Sequence, residues 1–551
     1  MKNWLTAPRR SCVLLIVLTI VACPAYAWAQ AEHQHGEAVP ERLGRVDFET
    51  SCAPAVQADF NRAVALLHSF AFRKAIEGFE GVLERDPSCR IALWGIALST
   101  WSNPFAGIKG PQILEQGSQV VRRASGLSGG TPRERDYMDA VSELYRDYQT
   151  RDHPTRIAAY DSAMQRLSAG NPGDREARIF AALASVQTAA PTDKTYAKQL
   201  AAGAILEELF AKYPDHPGLA HYIIHAYDVP ALAPRALDAA RRYAAIAPSA
   251  PHALHMPSHT FTRLGYWQES IQSNIASAAS AAAESATAEQ LHAMDYMAYA
   301  YLQVGRDDEV RALIDQVGVL QEHLKSPAAG GSAAPVSVGT YATAAIPARY
   351  ALERADWAGA TALTVATGAT PQSEAVTEFA RAVGAARSGH PDAASSSLDR
   401  LAAIRDALRT SGDAYWSGQS EIQRQGASAW VAWARGDKDE GLRLAAAAAD
   451  AEDATEKSAA TPGPLMPARE LLADMQFEAG RFADAQKSYE AVLTKEPHRF
   501  RAEYGAGVAA ERAGDQSGAN AHYRALLNQC APVTGSPRDA LRQAQRALDS
   551  R

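Results

Sequence analysis

Seven of the fifteen histidines in this 551-residue chain fall between His216 and His292. Their placement follows a rule: His221 and His225 stand 7 and 11 residues after Pro214, and His255 and His259 stand 7 and 11 residues after Pro248. A spacing of four puts two side chains on one helix face, so each HxxxH segment can offer two imidazoles to one ion or substrate. With Asp228, His292 and Asp295 nearby, the pattern predicts a mixed His/Asp site for a transition metal. Zn, Fe, Mn and Cu all suit such ligands, and spacing does not choose among them. A metal-bound water would then be the nucleophile or the oxidant-binding position, oriented by Tyr227, Asp228, Asp295 or Tyr299. The competing reading has the same histidines hydrogen-bonded to backbone and carboxylates inside a polar groove. HExxH, P-loop, dinucleotide-binding, CxxC and CxxCH signatures are absent.

The elements that must position these residues are helices. Nearly every segment after Pro54 reads as an amphipathic helix of about 12–16 residues closed by Gly, Pro or a polar turn, with no period-two strand. Phe72, Ala75, Phe79, Val82 and Pro87 have the spacing of a tetratricopeptide repeat, and Gly480, Phe482, Ala485, Tyr489, Val492 and Pro497 repeat it. Gly480 to Gly514, Ala485 to Ala519, Tyr489 to Tyr523 and Pro214 to Pro248 are each 34 apart, the period of that repeat. Weaker units carry turn glycines at Gly265, Gly305, Gly389 and Gly436. The predicted fold is all-α, a right-handed solenoid of helix-turn-helix repeats.

Counting each unit from three residues after its closing proline puts His221 and His225 at positions 5 and 9 and Asp228 at 12. In the next unit His252 falls at 2, His255 at 5 and His259 at 9. Anchoring the third unit on Gly305 as position 15 puts His292 at 2, Asp295 at 5 and Tyr299 at 9. In tetratricopeptide repeats, which this chain resembles, those positions of the first helix line the concave groove. Neighbouring helices lie roughly 8–10 Å apart, so ligands from adjacent units can meet. Pro257 breaks the pattern between His255 and His259: inside a helix it removes a hydrogen bond, and as the first residue of a helix it would turn His255 away.

The same numbering puts Glu470 and Asp474 on the groove of the last array, as an acidic pair for a basic peptide or as helix caps. It puts Trp430 and Trp433 there as an aromatic shelf or as core. The groove as a whole would suit a peptide, a protein or an extended small molecule.

With 55 Lys+Arg against 62 Asp+Glu and 47% hydrophobic residues, the composition is neither basic enough for a nucleic-acid binder nor polar enough for disorder. Residues 1–29 read as a signal peptide, with Lys2, Arg9 and Arg10 ahead of an apolar run and small-residue cleavage sites after it. Its removal would take the net charge from −7 to −10. The expected location is periplasmic or secreted, with no membrane-spanning segment in the mature chain; a lipid anchor on Cys23 is the alternative. An oxidising compartment would pair Cys52 with Cys89, a loop closure worth about 4 kcal/mol. Residues 30–54 are expected as a flexible segment, 55–325 as an N-terminal array holding the histidines, 326–339 as a Pro/Gly-rich linker and 340–551 as a C-terminal array.

The segments FNRAVALLHSFAFRKAIEGFEGVLERDPSCRIALWGIALS, HYIIHAYDVP, APHALHMPSHTFTRLGYW, HAMDYMAYAYLQ and DATEKSAATPGPLMPARELL resemble a group of exported bacterial tetratricopeptide proteins over most of the mature chain. The shared positions include Cys52, Cys89, His221, His225, His255 and His259, and the group often carries His where this chain has Ser458. The resemblance implies the fold and no activity. The residues therefore predict a metal-binding solenoid with scope for catalysis, with a periplasmic scaffold for a peptide or envelope protein as the alternative.

Overall fold

The computed structural model describes residues 41–127, 129–326, 329, 333–531 and 538–550. The expected signal peptide, Cys23 and residues 30–40 of the expected flexible segment lie outside them. The described residues from 42 onward form one compact unit.

All regular elements among the described residues are helical, and they pack on elements one or two places away along the chain in most cases. The pairing follows from small residues seated under large ones. A Cβ on Gly95 would lie 2.3 Å from the Phe79 ring, and one on Gly203 would lie 2.2 Å from Tyr227. Gly505 and Gly507 sit in the same way under Tyr489 and Tyr523. These contacts let helix backbones approach closely and exclude any side chain in their place.

The turns repeat as regularly as the contacts. Gly265, Gly305, Gly389, Gly436, Gly480 and Gly514 all have φ between 70° and 91°, a left-handed conformation that Gly adopts without Cβ strain. In each case the next residue donates its N–H five residues back, as from Tyr266 to Phe261, Arg306 to Tyr301 and Asp515 to Ala510 (2.8, 2.9 and 2.8 Å). These bonds satisfy carbonyls that a helix end leaves open and fix the angle at which the next helix returns.

Two expectations about organisation change. Residues 42–54 are not loose: Phe48 is fully buried between Phe60, Trp94 and Tyr137, Arg45 donates to the Asp215 carbonyl, and Cys52 is disulfide-bonded to Cys89. The described residues of 326–339 do not separate two bodies either. Ala329, Ala333 and Ala334 are buried, and the helix Val336–Glu353 starts inside this stretch and packs on Thr287–Gln303. Apolar packing of alanines, which composition reads as linker, holds the two halves together.

Buried ion pairs do the same job further along. Arg499, with no exposed surface, joins Glu353 and Glu470, so one guanidinium ties the helices Val336–Glu353 and Ala468–Glu478 together. Arg499→Met would leave Glu353 buried without its cation and Glu470 with Arg501 alone. It should lower the unfolding free energy by about 3–5 kcal/mol, measured as a shift in the urea midpoint. An unchanged midpoint would show that these carboxylates find other partners.

Candidate metal centre

Six of the clustered histidines are gathered in two sets of three. His221 and His225, from the helix Pro217–Ala226, meet His252 from the next repeat; His255 and His259 meet His292 from the repeat after that. Within each set one nitrogen per ring lies within 4.8 Å of the others. The Nε2 atoms of His221 and His225 are 3.0 Å apart, and those of His255 and His259 are 3.1 Å apart. A metal–nitrogen bond of about 2.0–2.1 Å puts tetrahedral ligands roughly 3.3 Å apart, so small rotations suffice to admit an ion. Across the sets, ring centroids of His225 and His259 are 6.3 Å apart, and those of His252 and His255 are 6.0 Å apart.

What aims the Nε2 atoms inward is the partner of each opposite nitrogen. His221 Nδ1–H donates to the carbonyl of His68 (2.6 Å), the last residue of the helix Gln57–His68 and so a carbonyl with no helical partner. His255 Nδ1–H donates to Asn274 Oδ1 (2.7 Å), whose amide is oriented because its Nδ2 donates to the Ser270 carbonyl (2.8 Å). His259 Nδ1–H donates to Asp228 Oδ2 (2.9 Å), a carboxylate held by Arg263 and Lys457. Metal-ligating histidines show this arrangement, with the outer nitrogen bonded to carbonyl or carboxylate.

The second pair carries an electrostatic conflict. With Nδ1 protonated on both His255 and His259, the neutral rings present two lone pairs to each other at 3.1 Å. A proton or a metal ion between them would resolve it. Burial drives the proton off: His292 and His221 are pushed down to about 3, and His225, His252 and His255 fall well below the usual histidine range, by burial first and by neighbouring imidazoles second. His259 is also lowered by burial, against the pull of Asp228. Burial alone would raise Asp228, but Lys457 and Arg263 hold its carboxyl well below the usual range. His252 Nε2 and His292 Nδ1 are buried with no hydrogen-bond partner, a loss that a ligand would offset.

The surroundings are apolar. Phe105 stacks on His225 at 4.3 Å, Phe70 packs edge-on to His221 at 4.4 Å, and Tyr296 lies 4.8 and 4.9 Å from His255 and His259. A cavity of about 20 Å³ touches His225, His252, His259 and His292 and is also lined by Phe105, Met256, Val338 and Ala460, among others.

Several sequence expectations are corrected by this geometry. The histidines do not face an open concave groove: none is more than 8% exposed, and Ala333, Ala334, Val338, Ala459 and Ala460 pack beside them. Asp228 stands behind His259, outside the ring of inward nitrogens. Asp295 is held by Arg349 (2.8 Å) and is directed away from the cluster. Tyr227 covers Gly203 with Arg235 above its ring, and Tyr299 bonds Glu496, so neither could orient a molecule at the histidines. Glu470 and Asp474 form no free acidic pair, since Arg499 and Arg501 engage them. Trp430 is core, with Arg387 stacked on it at 3.9 Å and Trp433 6.3 Å away, and forms no exposed shelf. Pro257 does start a new helix, yet His255 stays beside His259 because Met256 keeps helical dihedrals across the break.

His252, read only as a groove residue, completes the first set. Its signal was available, since His252 and His292 share position 2 of their units. Asn274, Lys457, Arg263 and Tyr296 carried no signal, because their partners are distant in the chain. His68, beside the cluster, forms a separate buried group with Glu176 and His216 (2.9 and 3.0 Å). Burial would raise Glu176, but His216 and His68 hold it well below the usual range.

The hydrogen-bond pattern makes a spectroscopic prediction. In metal-free protein with ¹⁵N-labelled histidine, His221, His255 and His259 should be Nδ1–H tautomers at neutral pH in long-range ¹H–¹⁵N spectra. An Nε2–H tautomer at His255 would remove the electrostatic conflict on which the site reading rests.

Residues 471–533 match the tetratricopeptide repeat family. No curated protein sequence matches the chain. Among solved structures, human IFIT1, described as a dimer with m7Gppp-AAAA, is 10% identical, with 80% of this chain and 90% of that one covered and a TM-score of 0.35. The Cut9–Hcn1 hetero-tetramer of the APC/C is also 10% identical, with 89% and 90% covered and a TM-score of 0.30. Yeast Tom70 is 11% identical, with 89% and 88% covered and a TM-score of 0.28. The paired helices, their repeated turns and the matched segment make this chain an all-α solenoid of tetratricopeptide-like repeats.

Proposed function

We propose that this chain is an exported helical-repeat protein whose interior binds two transition-metal ions, one in each set of three histidines. The observation that carries the reading is the pair of inward Nε2 atoms in each set, with three of those four rings held at Nδ1 by fixed acceptors. Such a site is pre-organised: the protein has already ordered the ligands, so binding does not have to. The export reading rests on residues 1–29 of the sequence. No described helix is long and apolar enough to cross a membrane.

A second reading, a scaffold for a protein or peptide, draws on the repeat fold and on a cavity of about 540 Å³ between Trp357, Phe477, Arg387 and Arg501. The two readings separate on metal content. Protein purified without chelators, or stripped and reloaded, should hold close to two ions per chain by elemental analysis. His225→Ala with His259→Ala should hold none while circular dichroism reports the parent helix content. Asp228→Asn should weaken the second site by about 10–100-fold, since it loosens the ring it orients. Failure to take up Cu, Zn, Fe or Mn, or full occupancy in the double variant, would leave the scaffold reading.

A further inference from the structure

We propose that the two sets hold a pair of copper ions and that the pair binds dioxygen in the small cavity beside them. This rests on the reading of the sets as metal sites and goes further by naming the ions and their ligand.

The choice of metal follows from what the site lacks. Each set offers three imidazoles and no carboxylate: the oxygens of Asp228 face His259 Nδ1, Arg263 and Lys457, and those of Asp295 face Arg349. Manganese and magnesium want oxygen ligands, and iron in open sites is usually met by a carboxylate beside two histidines. Two divalent ions here would place four positive charges in a buried space without an anionic ligand, at a high desolvation penalty. Cuprous ions halve that charge, imidazole suits them, and copper also heads the affinity order of the divalent series.

The choice of ligand follows from the cavity. A volume of about 20 Å³ holds roughly one water-sized molecule, but a water also needs two to four polar partners. Its walls are Phe105, Ala106, Met256, Ala333, Ala334, Val338, Ala459 and Ala460 beside the imidazoles. Asn103, the one amide side chain there, already donates to the Ala333 carbonyl and accepts from the Phe105 N–H. Beyond the imidazoles, a zinc-bound water would find among the lining side chains only the second N–H and second lone pair of Asn103, whereas a small apolar molecule fits without a partner. Four of the six histidines border the same space and come from both sets, so both ions face it.

The step balances without protons. Each of two Cu(I) ions gives one electron to dioxygen, the O–O double bond becomes a single bond, and the resulting peroxide bridges two Cu(II) ions. Loss of dioxygen returns both electrons.

The full chain, stripped of metal, would be reloaded with Cu(I) without oxygen, analysed for copper and then exposed to dioxygen, with zinc-loaded protein as comparator. Two coppers per chain are expected, with an intense near-ultraviolet absorption that zinc does not produce. The oxidised pair should give no electron paramagnetic resonance signal, and a Raman band should shift with heavy-isotope dioxygen. Ala460→Leu takes up the cavity space and replaces no ligand, so it should keep both coppers and lose the absorption. Two coppers that oxidise to separately detectable Cu(II), with no isotope-sensitive band, would overturn the dioxygen inference and leave the two-metal reading standing. An Ala460→Leu variant with undiminished absorption would overturn the assignment of the cavity. Failure to bind two coppers would overturn this inference, and failure to bind two of any ion tested would overturn the reading beneath it.

Discussion

The centre of this protein depends on three Nδ1 hydrogens being held from behind. His221, His255 and His259 each face a fixed acceptor: a helix-terminal carbonyl, an oriented amide and a paired carboxylate. An imidazole committed on one side has only its other nitrogen to offer, so each bond converts a freely rotating ring into a directed lone pair. The supports come from different repeats. The His68 carbonyl belongs to the first helix, Asn274 to the helix Trp267–Ala283, and Lys457 to a segment more than two hundred residues after the aspartate it steadies.

The repeat itself explains why there are two sets. Moving along the solenoid by one unit of 34 residues carries His221 to His255 and His225 to His259. The third member of each set is the position-2 histidine of the following unit, so each set is shared between adjacent repeats. Neighbouring first helices pack side by side, and an imidazole from one reaches the pair on the next. A periodic fold thus places two similar histidine sets in one wall. Pro257 lies between the second pair, where the backbone breaks for one residue and keeps its helical sense.

Closure sets this interior apart from an open groove. Arg349 binds Asp295 and also donates to Thr461 and to the carbonyls of Gly463 and Pro464, clamping the turn after Ala460 onto the helix that carries His292. Lys194 and Tyr196 hold Glu456 on the other side. The result is a cluster of neutral, buried imidazoles, since burial keeps the histidines below the range in which they would protonate. That state favours a metal, whose binding otherwise has to displace protons.

Local chemistry in the sequence determined a good deal. Apolar periodicity settled the all-α class, turn glycines and prolines marked the repeat joints, and the 34-residue register put the HxxxH pairs of successive units on equivalent faces. These are short-range properties, because helix pitch and left-handed caps are decided within about five residues. Only the tertiary structure decided that the groove is covered, that Asp295 answers Arg349, that Asp228 stands behind a ring, and that Asn274 orients His255. Each depends on residues brought together from distant segments, and sequence spacing says nothing about which of several carboxylates or amides will arrive. Ala333 and Ala334, in the stretch that composition reads as a linker, are buried beside the histidines because small apolar residues pack wherever a neighbouring surface fits them.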